Sequence, residues 1–142
     1  MQFNMIKPAL GAAVFAAAFA AQAQVAVVVN PKSPLANMTA DQVATIFLGK
    51  SNTLPNGSAT QAVDQPESAG VREQFYTKAT GKSSAQVKAA WSRLVFSGKG
   101  TPPKEVASSA DVKKFVAANA DAIGYIEKSA VDGSVKVVLS VD

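Results

Sequence analysis

The sequence predicts one α/β domain, with a three-layer mixed sheet flanked by helices. Strand patterns alternate with helix patterns in the order β-α-β-α-α-α-β-β, which favours helices packed on a sheet. The apolar runs at residues 25–29 and 123–126 are continuous rather than alternating, as is typical of strands covered on both faces. The 142 residues carry no internal repeat, and their number suits one domain.

The first strand and the first helix have clear local signals. The Val-Ala-Val-Val-Val run at residues 25–29 predicts a strand. Thr39 and Gln42 form a capping box that predicts the start of a helix, and Gly49 predicts its end. A polar loop and a second short strand over residues 59–63 should follow. The apolar face of the helix comprises Val43, Ile46 and Phe47.

Two helices are predicted in the middle of the chain. Ser68 should cap the first, and Gly81 should end it. Ser83 and Gln86 form a second capping box that opens the next helix. This helix has the most regular apolar stripe of the chain, which predicts that the stripe faces the core. The stripe consists of Val87, Ala90, Trp91, Leu94 and Val95.

The last part of the chain predicts one helix and two strands. Residues 96–103 contain Gly residues and two prolines, so they should end the third helix and form a rigid loop after it. Ser108 or Ser109 should cap a fourth helix. Strands are predicted over residues 123–126 and 135–139. The inner face of the fourth helix comprises Val112, Phe115 and Val116.

The N-terminus has the pattern of a cleavable secretory signal peptide. Lys7 precedes a short apolar run at residues 10–21, and Ala21 and Ala23 occupy the two small-residue positions of a cleavage site. The run is shorter than the roughly 20 residues of a membrane span. We therefore expect residues 1–23 to be removed, residues 24–142 to be periplasmic or secreted, and no membrane insertion after cleavage.

The composition excludes several classes of function. The chain has no Cys and no His, so thiol chemistry, Ser-His-Asp catalysis and the usual zinc and copper sites are not expected. We predict no metal, no cofactor and no enzymatic activity. The 14 basic and 10 acidic residues are spread along the chain, without the basic stripe that nucleic acid binding requires. The mild positive charge suits a small anion.

The candidate ligand site is the junction between the second strand and the second helix. A helix start offers unpaired N–H groups and a positive dipole end, which together bind oxyanions. Arg72 would add a charged fork, whereas the neighbouring Glu67 would compete for the same donors. The alternative is that Ser68 is an ordinary cap and Arg72 a solvated residue. The proposed binding residues are Ser68, Ala69, Gly70, Val71 and Arg72.

Three further features keep two interpretations each. The Ser-Gly-Lys-Gly loop at residues 97–100 is either a second anion contact or a plain turn. Trp91 is either a core residue, which its place on the apolar stripe favours, or a platform for a ligand. Tyr125 is either buried or faces a cleft.

Several segments of the chain resemble the phosphate-binding proteins of phosphate ABC importers. Residues 39–50 are similar to that family's helix ending in Phe-Leu-Gly-Lys. Residues 115–126 resemble its V-x-x-N-P-x-A-I-G-Y segment, with Ala120 where proline is usual. Residues 64–98 look like the short single-domain members of the family. The resemblance extends over residues 25–142, which is nearly the whole predicted mature chain.

The resemblance implies a type II periplasmic-binding-protein fold, of which this chain has the length of one lobe. In the family, phosphate is held between two lobes by hydroxyls, helix-start N–H groups and an arginine in an R-x-x-x-S-G-T motif. Ser68 matches the serine of that motif, but Asp64 stands at the arginine position, and Ala69 and Gly70 replace Gly-Thr. Arg72, four residues after Ser68, would supply the positive charge instead.

We therefore expect a phosphate transport-related, solute-binding-like protein for phosphate or another small oxyanion. A single lobe offers one wall of a cleft, so a second copy in a homodimer or an envelope protein partner would complete it. The alternative is a non-catalytic interaction or sensory accessory protein on the same fold, without a dedicated small ligand.

Overall fold

The computed structural model describes residues 24–142, so the predicted signal peptide at residues 1–23 lies outside the described residues. Each element is short, and the strands and helices follow the predicted order except for one additional short strand before the last helix. The strands are β1 (Val25–Val29), β2 (Gln61–Asp64), β3 (Lys104–Glu105), β4 (Ala122–Glu127) and β5 (Lys136–Val141). The helices are α1 (Ala40–Phe47), α2 (Gly70–Thr80), α3 (Ser84–Phe96) and α4 (Ser109–Ala118), with a 3-10 turn at Lys128–Ala130.

The five strands form one mixed sheet in the order β3-β2-β4-β1-β5. β1 pairs antiparallel with both β4 and β5, whereas β2 pairs parallel with β3 and with β4. β1 therefore runs opposite to the other four strands. All five of its residues are buried, because it lies inside the sheet and both of its faces are covered. The prediction of a mixed sheet is confirmed.

Two apolar cores lie on opposite faces of the sheet. Val25, Val27 and Val29 pack with α1, α2 and the start of α3. Ala26 and Val28 point the other way and pack against α4. Because alternate residues of a strand point to opposite faces, the continuous apolar run of β1 serves both cores. The three-layer arrangement that the run predicted is confirmed.

The helix starts show which local signals were sufficient. Thr39 and Ser83 form complete capping boxes at α1 and α3, as predicted. Ser108 caps α4 by accepting a hydrogen bond from the Asp111 N–H. The prediction that Ser68 caps α2 is wrong. Ala69 is the N-cap and offers no side-chain bond.

The start of α2 is displaced by a turn that the sequence analysis missed. The Ala69 N–H donates to the Pro66 carbonyl at 2.9 Å. This turn leaves Ser68 exposed, one residue before the N-cap. β3 was also missed, because it has two residues, both exposed, directly after Pro103. The predicted strands at 59–63 and 135–139 are shifted to the bounds of β2 and β5.

The prediction that the whole apolar stripe of α3 faces the core is wrong. Val87, at its first turns, is fully buried, and Trp91 is partly buried against the core. The last turn leaves the core: Val95 is 47% exposed and Phe96 is 94% exposed. Within residues 24–142, no helix combines the length and the apolar character needed to cross a membrane.

Candidate functional site

The predicted site lies where β2 ends and the chain turns into α2. Asp64 is the last residue of β2, and α2 begins at Gly70. In open α/β sheets, ligands bind outside the carboxyl ends of the strands. The geometry at this edge therefore decides what the predicted residues can do.

A buried carboxylate lies at the centre of this edge. The Asp64 carboxylate accepts a hydrogen bond of 2.5 Å from the Tyr76 hydroxyl and another from the Tyr125 hydroxyl. The Gln65 N–H donates to the same carboxylate at 2.8 Å. Both tyrosines are completely buried, so Tyr125 faces the interior rather than a cleft. A buried carboxylate requires such partners, because burying it unpaired is strongly unfavourable.

The two tyrosines have strongly shifted acidities. Burial raises the pKa of Tyr76 well above its usual value, and the negative charge of Asp64 raises it further. The same two causes, in the same order, raise the pKa of Tyr125. Both hydroxyls therefore remain protonated and act as donors to the carboxylate.

Arg72 is buried and bonded within the protein. Its Nη1 atom lies 3.4 Å from the Asp64 carboxylate and donates to the Gln65 carbonyl at 2.7 Å. Its Nε atom donates to the Ser84 hydroxyl at 2.7 Å. The side chain is 8% exposed, so the alternative that Arg72 is a solvated residue is wrong. The guanidinium connects the end of β2 to α2 and α3.

Gln65 joins two helix starts at the same edge. Its side-chain amide donates to the Tyr125 carbonyl at 3.0 Å and to the Ser109 hydroxyl at 3.2 Å. Ser109 is the first residue of α4. Gln65 is 1% exposed, and it therefore fixes the start of α4 beside the turn that leads into α2.

The other predicted site residues form the surface of the α2 start. Ser68 and Gly70 are exposed, Ala69 is partly buried, and Val71 is buried. The first N–H groups of a helix have no acceptor within the helix. A side chain added at Gly70 would meet no atom within 4 Å, so the backbone here is open to approach. The structure brings Ser68, Gly70 and these N–H groups together but turns Arg72 inward.

A cleft of about 530 Å³ opens beside this edge, between α2, the end of α3 and β3. We call it the carboxyl-edge cleft. Two of its side chains, Glu67 and Lys88, form an ion pair at 2.8 Å, and this hydrogen bond lowers the pKa of Glu67. Its charged lining residues are two cations and three carboxylates, a balance that does not favour an anion. These are Arg72, Lys88, Asp64, Glu67 and Glu105.

A second cleft, of about 820 Å³, lies at the opposite end of β2. It contains the start of β2 at Gln61, the start of β3 at Lys104, and the 98–100 loop. Lys50 and Lys99 are its other charged residues, and we call it the lysine cleft. The loop predicted as either an anion contact or a plain turn therefore lines a cleft together with Lys50, and this cleft shares Trp91, Pro102 and Pro103 with the carboxyl-edge cleft.

Several residues of the network were missed by sequence reasoning. Tyr76, Ser84 and Glu105 all contact Asp64 or Arg72, and they come from α2, α3 and β3. One signal was available, since an Asp directly after a buried strand requires donors. Within residues 24–142, no group of three His, Cys, Asp or Glu side chains is placed to hold a metal ion.

Comparison with known proteins finds similarity in structure only. No protein-family model and no curated protein matches the sequence. A Clostridium perfringens protein described as a phosphate ABC transporter substrate-binding protein, with bound phosphate, is similar at a TM-score of 0.66 and 22% identity. That alignment covers 82% of this chain and 44% of the other.

Two further solved structures are similar over almost the whole chain. An ABC-type phosphate transport receptor from Vibrio cholerae matches at a TM-score of 0.64 and 20% identity, over 96% of this chain and 64% of that one. PstS from Borrelia burgdorferi matches at a TM-score of 0.60 and 12% identity, and the alignment covers 96% of this chain and 65% of that one. This chain therefore covers less than two thirds of each of these structures.

The mixed sheet with helices on both faces is the fold of one lobe of a periplasmic binding protein. More particularly, it is the lobe fold of PstS-like phosphate-binding proteins, as the resemblance in the sequence predicted. At 12 to 22% identity, this similarity concerns the fold.

Proposed function

We propose that this chain is a non-enzymatic, solute-binding-like module that holds phosphate or another small oxyanion at the start of α2. The observation that carries the proposal is the open helix start at the carboxyl end of β2, in a fold whose solved examples include a phosphate-bound protein. The N–H groups of Gly70 and Val71 and the hydroxyl of exposed Ser68 would be the ligand contacts.

Arg72 has a different role in this proposal from the one that its sequence position suggested. Its bonds to Gln65 and Ser84 hold the turn before α2 in place. Its charge is balanced by Asp64 at 3.4 Å and by Glu105 at 3.8 Å. We propose that Arg72 positions the helix start and that the backbone contacts the anion.

Removal of one backbone donor tests the site. Gly70 is the first residue of α2, a position where proline is well tolerated, and Ala69 before it has the extended backbone that proline requires. Gly70→Pro removes the N–H, whereas Gly70→Ala retains it and adds a methyl group into open space. We expect phosphate binding, measured by calorimetry, to be lost in Gly70→Pro and kept in Gly70→Ala.

Thermal unfolding in the presence of oxyanions identifies the ligand. A ligand that binds only the folded state adds about 2.7 kcal/mol of stability at a hundredfold excess over its dissociation constant. For a domain of this size, that raises the melting temperature by several degrees. A rise with phosphate or sulfate supports the module, and the absence of any rise at millimolar concentrations contradicts it.

We propose periplasmic or secreted localisation, on the basis of the signal peptide pattern at residues 1–23. Mass spectrometry of the exported protein should give a mature N-terminus at Gln24. An intact N-terminus in the soluble envelope fraction would contradict this cleavage.

The exposed end of α3 favours a second candidate, an interaction protein without a small ligand. Phe96 is 94% exposed, and it lines the carboxyl-edge cleft with Val95 and Pro102. Exposed aromatic surface of this kind marks protein contacts. The occupant that we propose is a second copy of this chain, because a two-fold pair would cover the same apolar surface on both copies and complete the cleft.

Sedimentation velocity over a range of concentrations tests this pairing. A dimer that dissociates in Phe96→Ser would support the candidate, since this change removes apolar surface without touching the core. A monomer at every concentration would contradict it.

A further inference from the structure

The guanidinium of Arg72 has one nitrogen that makes no hydrogen bond within the described chain. Its Nε atom donates to Ser84 and its Nη1 atom donates to Gln65, whereas Nη2 donates to no group within residues 24–142. In this part of the chain, Oε1 of Gln74 is the one fully buried side-chain nitrogen or oxygen without a partner. Nη2 is therefore not fully buried, and its two N–H groups can donate to a molecule that binds the protein.

The space that Nη2 faces is the carboxyl-edge cleft, because Arg72 lines that cleft. The guanidinium is held in place, since its side chain is 8% exposed and its other two nitrogens are bonded within the protein. A donor that is already fixed loses little side-chain entropy when a ligand binds. Nη2 therefore provides a preorganised hydrogen-bond position in the cleft.

The exposed surface of the cleft is mainly apolar. Trp91, Val95 and Phe96 come from the last turns of α3, and Pro102 and Pro103 come from the loop before β3. Val95 and Phe96 are 47% and 94% exposed, so both have apolar surface that a ligand would bury. The volume of about 530 Å³ is typical of small-molecule sites, which combine apolar walls with a few fixed polar groups.

The charges around Nη2 favour an uncharged ligand. Asp64 and Glu105 lie 3.4 and 3.8 Å from Nη1 of Arg72, so the positive charge of this arginine is already balanced. Glu105 is 61% exposed and would repel an anion that approached Nη2. A cation has no lone pair with which to accept a hydrogen bond from Nη2, and Arg72 would repel it. An uncharged oxygen acceptor avoids both forms of repulsion and satisfies the donor.

We propose that the carboxyl-edge cleft binds a small uncharged molecule that carries a carbonyl oxygen on an apolar body. The carbonyl oxygen accepts a hydrogen bond from Nη2 of Arg72, and the apolar body packs on Trp91, Val95 and Pro102. This site is distinct from the oxyanion site proposed at the start of α2, because none of residues 68–70 lines the cleft.

NMR of the arginine side chains tests the contact directly. The chain has two arginines, and the second, Arg93, is exposed and does not line the cleft. The probe is N-acetylphenylalaninamide, an uncharged aromatic amide. We expect it to shift the guanidinium resonances of Arg72 and not those of Arg93, with a dissociation constant of about 1 mM for so small a ligand. Arg93→Lys leaves a single arginine and assigns the resonances.

A charged analogue tests the preference for an uncharged ligand. N-acetylphenylalanine has the same apolar body but carries a carboxylate. We expect it to bind about fivefold more weakly than the amide. Glu105→Gln should reduce this difference, whereas Glu127→Gln, at an exposed position outside the cleft, should leave it unchanged. Equal or tighter binding of the acid to the unchanged protein would contradict the proposal.

Two serine substitutions on α3 test the apolar wall. Val95 lines the cleft, whereas Ala89 is exposed on the same helix and does not line it. We expect Val95→Ser to weaken binding of the amide about threefold and Ala89→Ser to leave it unchanged. Equal effects of the two substitutions would show that the amide does not pack on this wall.

A second copy of this chain is the competing occupant, and the same resonances distinguish it from the small molecule. If a second copy fills the cleft, the Arg72 resonances shift with protein concentration and do not respond to the amide. That result, or a response to neither, would overturn the proposal. Inorganic phosphate should not displace the amide, so a failure of the α2 site leaves this test unaffected.

Discussion

The guanidinium of Arg72 lies 3.4 Å from the carboxylate of Asp64, and both side chains are buried. The pair joins the last residue of β2 to the first turn of α2. Tyr76 and Tyr125 complete the hydrogen bonding of the carboxylate. Arg72, which the sequence analysis proposed as an anion-binding residue at this edge, is therefore bonded within the protein instead.

Loss of the Asp64 charge should destabilise the fold. Removing one member of a buried ion pair leaves the other unpaired, which costs about 3 kcal/mol or more. We expect Asp64→Asn to lower the free energy of unfolding by roughly that amount, measured by urea denaturation. The exposed Asp121→Asn serves as control and should change it by less than about 0.5 kcal/mol. Equal effects of the two substitutions would contradict the pairing.

Stability should fall in alkaline solution because of Tyr76 and Tyr125. Their pKa values are raised in the folded protein, by burial and then by Asp64. Below about pH 10 both states keep these protons, so stability does not depend on them. Above that pH the unfolded chain loses protons that the folded chain retains, and the free energy of unfolding decreases.

Tyrosinate absorbance provides the measurement. The chain has two tyrosines, so the signal reports only on this pair. We expect no tyrosinate in the folded protein at about pH 11 and its appearance together with unfolding. Tyrosinate in a protein that retains its folded circular dichroism spectrum would contradict the burial of both hydroxyls.

Two serines should differ in their effect on stability. Ser83 accepts a hydrogen bond of 3.1 Å from the Gln86 N–H at the start of α3, so Ser83→Ala should cost about 1 kcal/mol. Ser68 makes no capping bond at α2, so Ser68→Ala should change stability by less than about 0.5 kcal/mol. Thermal denaturation of both variants checks this, and a larger loss in Ser68→Ala would restore it as the cap.

Two glycines with the same backbone conformation but different neighbours distinguish the effect of packing on stability from that of backbone strain. Gly49 and Gly57 both have left-handed backbone, at φ 80° and 89°. An added Cβ at Gly49 would lie 2.6 Å from Leu94 and 2.9 Å from Trp91, whereas at Gly57 it would meet nothing within 4 Å. We expect Gly49→Ala to be about 2 kcal/mol less stable than Gly57→Ala by urea denaturation. Equal losses would mean that α3 does not pack on Gly49.

The network at Asp64 could be predicted only in part from the sequence. Asp64 was singled out only because it stands at the arginine position of the family motif. The partners of Asp64 and Arg72 could not be predicted. Tyr125 lies 61 residues from Asp64 along the chain, and Ser84 belongs to a different helix from Arg72. Arg72 was correctly predicted to lie in α2, but its burial was not predicted, because a position in the first turn of a helix suits a solvated arginine as well as a buried one.

The sequence by itself determined the features that depend on near neighbours. The capping boxes of Thr39 and Ser83 need contacts three residues apart, and the apolar run of β1 needs only its own residues to indicate burial on both faces. Tertiary structure decided the two-residue strand β3, the exposed end of α3 and the burial of Arg72 beside Asp64. These features depend on which distant segments pack together, and that choice is made by the burial of the whole chain rather than by any short pattern.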